Sequence, residues 1–471
     1  MSENIMKLEK SLKWKFNNYL TDNDKLKFII NLALNSRFSD IYITPWKLVQ
    51  YKKNWIITLT SNLIPNSLGF ESVITEQDFE LFLECIFPSE NDITLLKNVL
   101  NDSKSFDYWV WFKFLHIKQW ETIETLENVR LRLNFVNTID GIMLTIRPLL
   151  NLWLNFDKLT SLQWSINYWK KLMTIKNNDT VKDSDKLAAL SQLEKMDTIS
   201  KIIKSDFSRN SWLILVTWTT WEWKSTLVTS LLEDLIEKTD KHIITLEDPI
   251  EYIFKPEKWK VTQIEIWTHI ETFSAWIKGS KRENPDVVYI QEIRDEQSAK
   301  ALLELLWSWV LVITTLHTWS VSETIDRLIW LMSDSNNQDH VRTYISRQLI
   351  SIINQKLIYV KHKIKWKEKI ITKWIQEYLH LNWQSRTAIK DNTINQLEST
   401  LVDSQPPNKS ITKILWNFYL LWIISMTDLL WNVTNLWSLE SLLADQKSSI
   451  RADDLEELFN YYGVDSLEKL K

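Results

Sequence analysis

Four glycines in 471 residues are too few to turn a chain of this size. Left-handed turns, helix C-caps and close backbone approaches depend on glycine because it has no Cβ to clash. An average glycine usage of roughly 7% would give about 33. Tryptophan is in matching excess at 27, so that glycine and tryptophan together number 31. The tryptophans also stand where glycine belongs. Trp55 follows Asn54 between two strand-like runs in YKKNWIITLT, where Asn-Gly would signal a type I′ hairpin. Trp212 precedes the apolar run LILVT, Trp259 sits in the polar turn PEKWKVT, and Trp307 and Trp309 lie between a helical pattern and a β-branched run.

The sharpest case is TWTTWEWKST, Thr217 to Thr226. With glycine at Trp218, Trp221 and Trp223 it reads GTTGEGKS, a full match to G-x-x-x-x-G-K-[ST], between a strand-like run and the amphipathic STLVTSLLEDLIEK. Such a loop wraps a phosphate with bare backbone N–H groups at a helix N-terminus. Indoles there would demand glycine-only dihedrals and fill the space of the phosphates. The economical reading is that UGA codons, which encode glycine in some bacterial lineages, are written here as tryptophan. The rival reading is a Trp-rich binding module that uses its aromatics for stacking and hydrolyses nothing.

Three further segments share one design. HIITLEDPIE, DVVYIQE and VLVITTLHT are apolar runs that end in Glu247, Glu292 and His317. Continuous apolar runs fit parallel strands buried on both faces, and ligands of doubly wound sheets bind at the strands' C-terminal ends.

With glycine restored, residues 206–385 resemble the ATPases of type II secretion and type IV pilus systems, most closely the pilus retraction ATPases. The motifs that carry the resemblance are the loop above, the acidic box ITLEDPIEY, the segment EIWTHIETFSAWIKGSKRENPDVVYIQEIRD and the histidine box TTLHTWSVSETIDRLI. Two positions depart from the family pattern: Gln291 stands where a glycine usually precedes the catalytic glutamate, and Val310 where a histidine is common.

The resemblance implies an α/β chain: a RecA-like P-loop ATPase domain over 207–400, preceded by a PAS-like α+β domain over 37–150, with a helical N-terminal extension over 1–36, a linker with helices over 151–206 and a helical C-terminal tail over 401–471. It implies ATP and Mg²⁺, bound by Trp218, Thr219, Thr220, Trp221, Glu222, Trp223, Lys224, Ser225 and Thr226. Lys224 would neutralise the β- and γ-phosphates, and Ser225 and Glu247 would hold the cation. Glu292 would be the catalytic carboxylate, and His317 would sense the γ-phosphate. In NVRLRLNFVNTIDGIMLTIRPLL, Arg132 and Arg147 would reach a neighbouring subunit's nucleotide, the bland alternative being a solvated strand face. Glu292 could instead serve only as the ion-pair partner of Arg294.

The implied assembly is a hexameric homo-oligomer that works on an inner-membrane pilus platform protein from the cytoplasmic face. Cys85 is the single cysteine, so the tetracysteine zinc module of extension and secretion motors has no ligands here, which favours retraction. Pilus extension or type II secretion assembly is the alternative. A net charge of -4 without a basic stripe disfavours a nucleic-acid translocase. The N-terminal segment has no secretory pattern. The apolar stretch Ile414 to Trp431 is interrupted by Asn417 and Asp428 and reads as buried helix, not an integral membrane segment.

Overall fold

The computed structural model describes residues 24–149, 183–254, 261–394 and 408–433, with breaks of which 60–72, 117–124 and 218–223 are the longest, and isolated positions up to 461. The chain divides into two compact units, Met1–Leu152 and Trp153–Lys471.

The first unit is a six-stranded antiparallel sheet faced by helices. Its elements are α1 (Asp24–Ser36), β1 (Asp40–Ile43), β2 (Gln50–Lys53), β3 (Ile56–Leu59), α2 (Glu76–Ile86), α3 (Glu90–Ser103), β4 (Ser105–His116), β5 (Thr125–Thr138) and β6 (Gly141–Leu149). The strand order is β3-β2-β1-β6-β5-β4. Alternation decides which side is buried: Leu131, Leu133 and Phe135 pack with Ile30, Phe82 and Leu83 in one core, while Arg130 and Arg132 stay half-exposed. A capping box starts α2, with the Thr75 hydroxyl accepting from Asp78 N and the Asp78 carboxylate accepting from Thr75 N.

Turn geometry tests the idea that tryptophan stands for glycine. Lys53 pairs with Ile56, and Asn54 and Trp55, the two positions between them where Asn-Gly is expected, lie outside the described set. A written glycine, Gly141, closes the β5–β6 hairpin with φ +100°. Among the described residues four others have positive φ: Asn284, Asn392, Trp46 and Trp212. Asparagine tolerates that region, whereas a bulky aromatic there is an outlier. Trp46 (φ +63°) and Trp212 (φ +96°) therefore occupy backbone that glycine suits. Trp307 behaves differently. It ends its helix in an ordinary right-handed conformation, φ -76°, so no glycine-only backbone is needed there, contrary to the expectation of a glycine C-cap. Trp46 is 67% exposed, so its indole buries little. Trp46→Gly is expected to stabilise the chain by about 1 kcal/mol, the relief of left-handed strain outweighing the loss of contact. Thermal unfolding of the two chains measures it.

The second unit is a doubly wound mixed sheet in the order β13-β12-β7-β11-β10-β8-β9. After α4 (Asp183–Asp197) and α5 (Ile199–Phe207) come β7 (Trp212–Thr217), α6 (Lys224–Lys238), β8 (Ile243–Glu247), β9 (Val261–Glu265), β10 (Val287–Ile290), α7 (Glu296–Leu306), β11 (Leu311–Leu316), α8 (Val321–Met332) and α9 (Gln338–Gln348). The chain continues through β12 (Leu349–Ile364), β13 (Lys367–His380), α10 (Trp383–Lys390), α11 (Ile411–Leu420) and α12 (Met426–Asn432). Strands β12, β7, β11, β10, β8 and β9 run parallel, and β13 returns antiparallel beside β12.

Both faces are covered, which is why the strands read as continuous apolar runs. Ile214 and Val216 of β7 face a core shared with α6 and α11, and Leu213 and Leu215 face one shared with α7 and α8. The C-terminal apolar stretch is split between α11 and α12, and its Trp416, Phe418 and Tyr419 are buried in the first of these cores. No helix among the described residues is long and apolar enough to cross a membrane.

Candidate active site

Sheet order decides which of the motif residues meet. β7 lies beside β11, β11 beside β10 and β10 beside β8, all parallel and in near register. Their C-terminal ends therefore share one edge. The candidate nucleotide loop lies in sequence between β7 and α6, which begins at Lys224. Trp218 to Trp223 and the side chains of Lys224 and Ser225 lie outside the described residues; Thr226 is half-buried in the first turn of α6.

Glu292 and His317 come together across the β10–β11 boundary. His317 Nε2 lies 2.9 Å from Glu292 Oε1, and Arg294 Nε donates to Glu292 Oε2 at 3.0 Å. The Glu292 side chain is 15% exposed, so it is open to a small reactant while most of its surface is fixed. Arg294 Nη1 reaches Asp248 Oδ2 at 3.3 Å, which ties the β10 end to the acidic box after β8. The ion pair between Glu292 and Arg294 is thus present, and it leaves the carboxylate at the strand end beside the histidine.

Glu247 ends β8 in different surroundings. Its carboxylate accepts from Thr245 Oγ1 at 2.7 Å and from Gln263 Nε2 at 3.2 Å, and the residue is 5% exposed. Burial pushes its carboxyl up to about 7, the Thr245 and Gln263 bonds oppose that rise, and the nearby Glu251 adds to it. The proton is therefore held more tightly in the folded chain than in the unfolded one, so stability falls as pH rises from about 4.5 through about 7. Glu247→Gln should remove that loss. The variant is expected to gain about 3 kcal/mol on the wild type between pH 4.5 and pH 8, read from denaturant unfolding at each pH.

A positive neighbour would lower the raised pKa of the Glu247 carboxyl, whose oxygens are hard donors of the kind Mg²⁺ prefers, and among the described residues no group of three or more His, Cys, Asp or Glu side chains is placed to hold a metal ion. Tyr289, wholly buried in β10, has its phenol raised well above its ordinary range by burial and by the charges of Glu247, Glu251 and Glu292.

Arg132 and Arg147 belong to the first unit, where register makes them direct cross-strand neighbours on β5 and β6. Each is held by an acid. Arg132 donates through Nε and Nη2 to Asp107 at 3.3 and 3.0 Å, and Arg147 Nε to Asp40 Oδ1 at 2.7 Å. Their side chains remain about a third exposed, at 34% and 32%. Asp40 is 2% exposed, so truncating Arg147 would strand a buried carboxylate. Sequence reading missed Thr245, Gln263 and the Arg294–Asp248 tie; only the alternation placing Thr245 and Glu247 on one strand face could have suggested the first.

The Type II/IV secretion system protein family matches residues 178–397. The type IV pilus retraction ATPase PilT of Pseudomonas aeruginosa is 36% identical over 146 residues, which are 31% of this chain and 42% of that protein. The twitching motility protein of Neisseria gonorrhoeae is 29% identical over 217 residues, 46% of this chain and 55% of that protein. The chain thus spans about half the length of these curated relatives. A crystal structure of the pilus retraction motor PilT with bound ADP superposes with a TM-score of 0.62 at 22% identity, covering 89% of this chain and all of that one, a likeness of fold.

Proposed function

With residues 178–397 matched by the type II/IV secretion system protein family, we propose that the chain is an ATP-hydrolysing motor that drives type IV pilus retraction. The observation that carries the reading is the Glu292–His317 pair at 2.9 Å, on the same sheet edge as Glu247 and the β7–α6 loop. In this reading Lys224 and the loop backbone hold the β- and γ-phosphates of ATP. Glu292 orients and polarises the attacking water, a role that needs a charged, partly exposed carboxylate beside the γ-phosphate. His317, bonded to Glu292, registers whether the γ-phosphate is present. Glu247 and Ser225 would hold Mg²⁺, whose charge would offset that of the phosphates.

The ring is part of the same reading. Six copies assemble, and Arg132 and Arg147 of one copy's PAS-like domain complete the neighbour's site, stabilising charge on the transferring phosphoryl group. Loss of the γ-phosphate then moves one domain against the other, and an inner-membrane platform protein transmits that movement to the pilus. The motor works at the cytoplasmic face of the membrane. Tryptophans 46, 212, 218, 221 and 223 are glycines in the natural protein, an inference supported by the motif match and by the positive φ of the first two.

A retraction-deficient bacterium supplied with the gene recoded to glycine at these positions tests the direction of force. Restored twitching supports retraction. Restored piliation in a strain without its extension motor, with no twitching, would move the chain to the extension branch.

A further inference from the structure

Gln291 stands between β10 and Glu292 and makes more connections than packing requires. The β8–β10 ladder pairs Leu246 with Ile290, and Gln291 N donates to Leu246 O at 2.9 Å as its last backbone rung. Beyond it the side chain takes over. Gln291 Oε1 accepts from Asp248 N at 2.5 Å, and Nε2 donates to Pro249 O at 3.1 Å. A carboxamide offers the same donor and acceptor as a peptide group, so it adds a peptide-like rung where two diverging chains can no longer pair. On the other side, Thr315 Oγ1 donates to Gln291 O and Ile293 N donates to Thr315 O at 3.1 Å. The residue before Glu292 is thereby fixed to the strand ends on both sides.

We propose that Gln291 is a positioning residue that clamps the acidic loop after β8 against Glu292. The proposal rests on the hydrolytic reading above. The bonded loop carries Asp248, which Arg294 joins to Glu292, and it directly follows Glu247. Without the carboxamide, Asp248 N and Pro249 O lose these two bonds. The loop and the two carboxylates then lose their common reference. Binding of ATP, which depends on the β7–α6 loop, is untouched.

The test uses the full chain with glycine at 218, 221 and 223, alone and with Gln291→Gly or Gln291→Glu. The glutamate keeps the length and the acceptor to Asp248 N but turns an oxygen toward Pro249 O in place of the donor. Both variants are expected to lower kcat about tenfold or more with KM for ATP within about twofold, the mark of lost alignment and not lost affinity. Amide exchange in the peptide spanning 246–253 should quicken about tenfold in both. Unchanged kcat in a folded variant would overturn the positioning role, as would a rise in KM alone. If the parent chain hydrolyses no ATP, the hydrolytic reading fails and exchange decides the clamp: faster exchange upholds it, and equal protection sinks it. Should the glycine variant not fold, the glutamate variant gives the same two readouts.

Discussion

Glycine at positions 218, 221 and 223 together is expected to raise ATP affinity by roughly a hundred- to ten-thousand-fold over the chain as written. Each forced left-handed tryptophan costs about 1–2 kcal/mol. Three of them set about 3–6 kcal/mol against the phosphate-wrapping loop, which converts to that range of affinity. Steric filling by the indoles adds to the loss in the written chain. Titration calorimetry of the two proteins with a non-hydrolysable ATP analogue reads the difference directly. Single replacements should each recover only part of it, because two remaining indoles still bar the loop. Equal, tight binding by both chains would show that the tryptophans do not obstruct the site and would favour the Trp-rich reading. So would a gene that carries UGG at the three positions.

Much of the site was legible because buried parallel strands write themselves as unbroken apolar runs. HIITLE, DVVYI and VLVITTL announced three strands, and the polar residue after each run announced what the strand end presents. What no run could announce was sheet order. Glu292 meets His317 because β10 lies beside β11, a fact of winding that local periodicity does not encode. The same holds for Arg147 and Asp40, 107 positions apart. Gln291 was legible only as a departure from a pattern; its two bonds to the neighbouring loop depend on where that loop lies. Trp307 shows the opposite failure, since its place between helix and strand suggested a glycine that its right-handed backbone does not require.

Glu292→Gln is expected to lower ATP turnover about 10²- to 10⁴-fold with nucleotide affinity changed by less than about threefold. The substitution keeps the side-chain volume and an oxygen to accept from Arg294, so the strand end should hold its shape. What it removes is the charge that orients and polarises the attacking water. Affinity should survive because the phosphates are bound by the β7–α6 loop and not by Glu292. Phosphate release under saturating ATP, on the glycine-restored chain, measures the loss. The companion substitution separates catalysis from scaffolding. Were Glu292 only the ion-pair partner of Arg294, the Arg294→Gln chain would lose as much turnover as the Glu292→Gln chain. The pair is more than half exposed on the arginine side, at 56%, and exposed pairs contribute little, about 0–1 kcal/mol. Arg294→Gln should therefore cost turnover less than about tenfold, since His317 still holds Glu292 Oε1 and the carboxylate keeps its charge at the strand end.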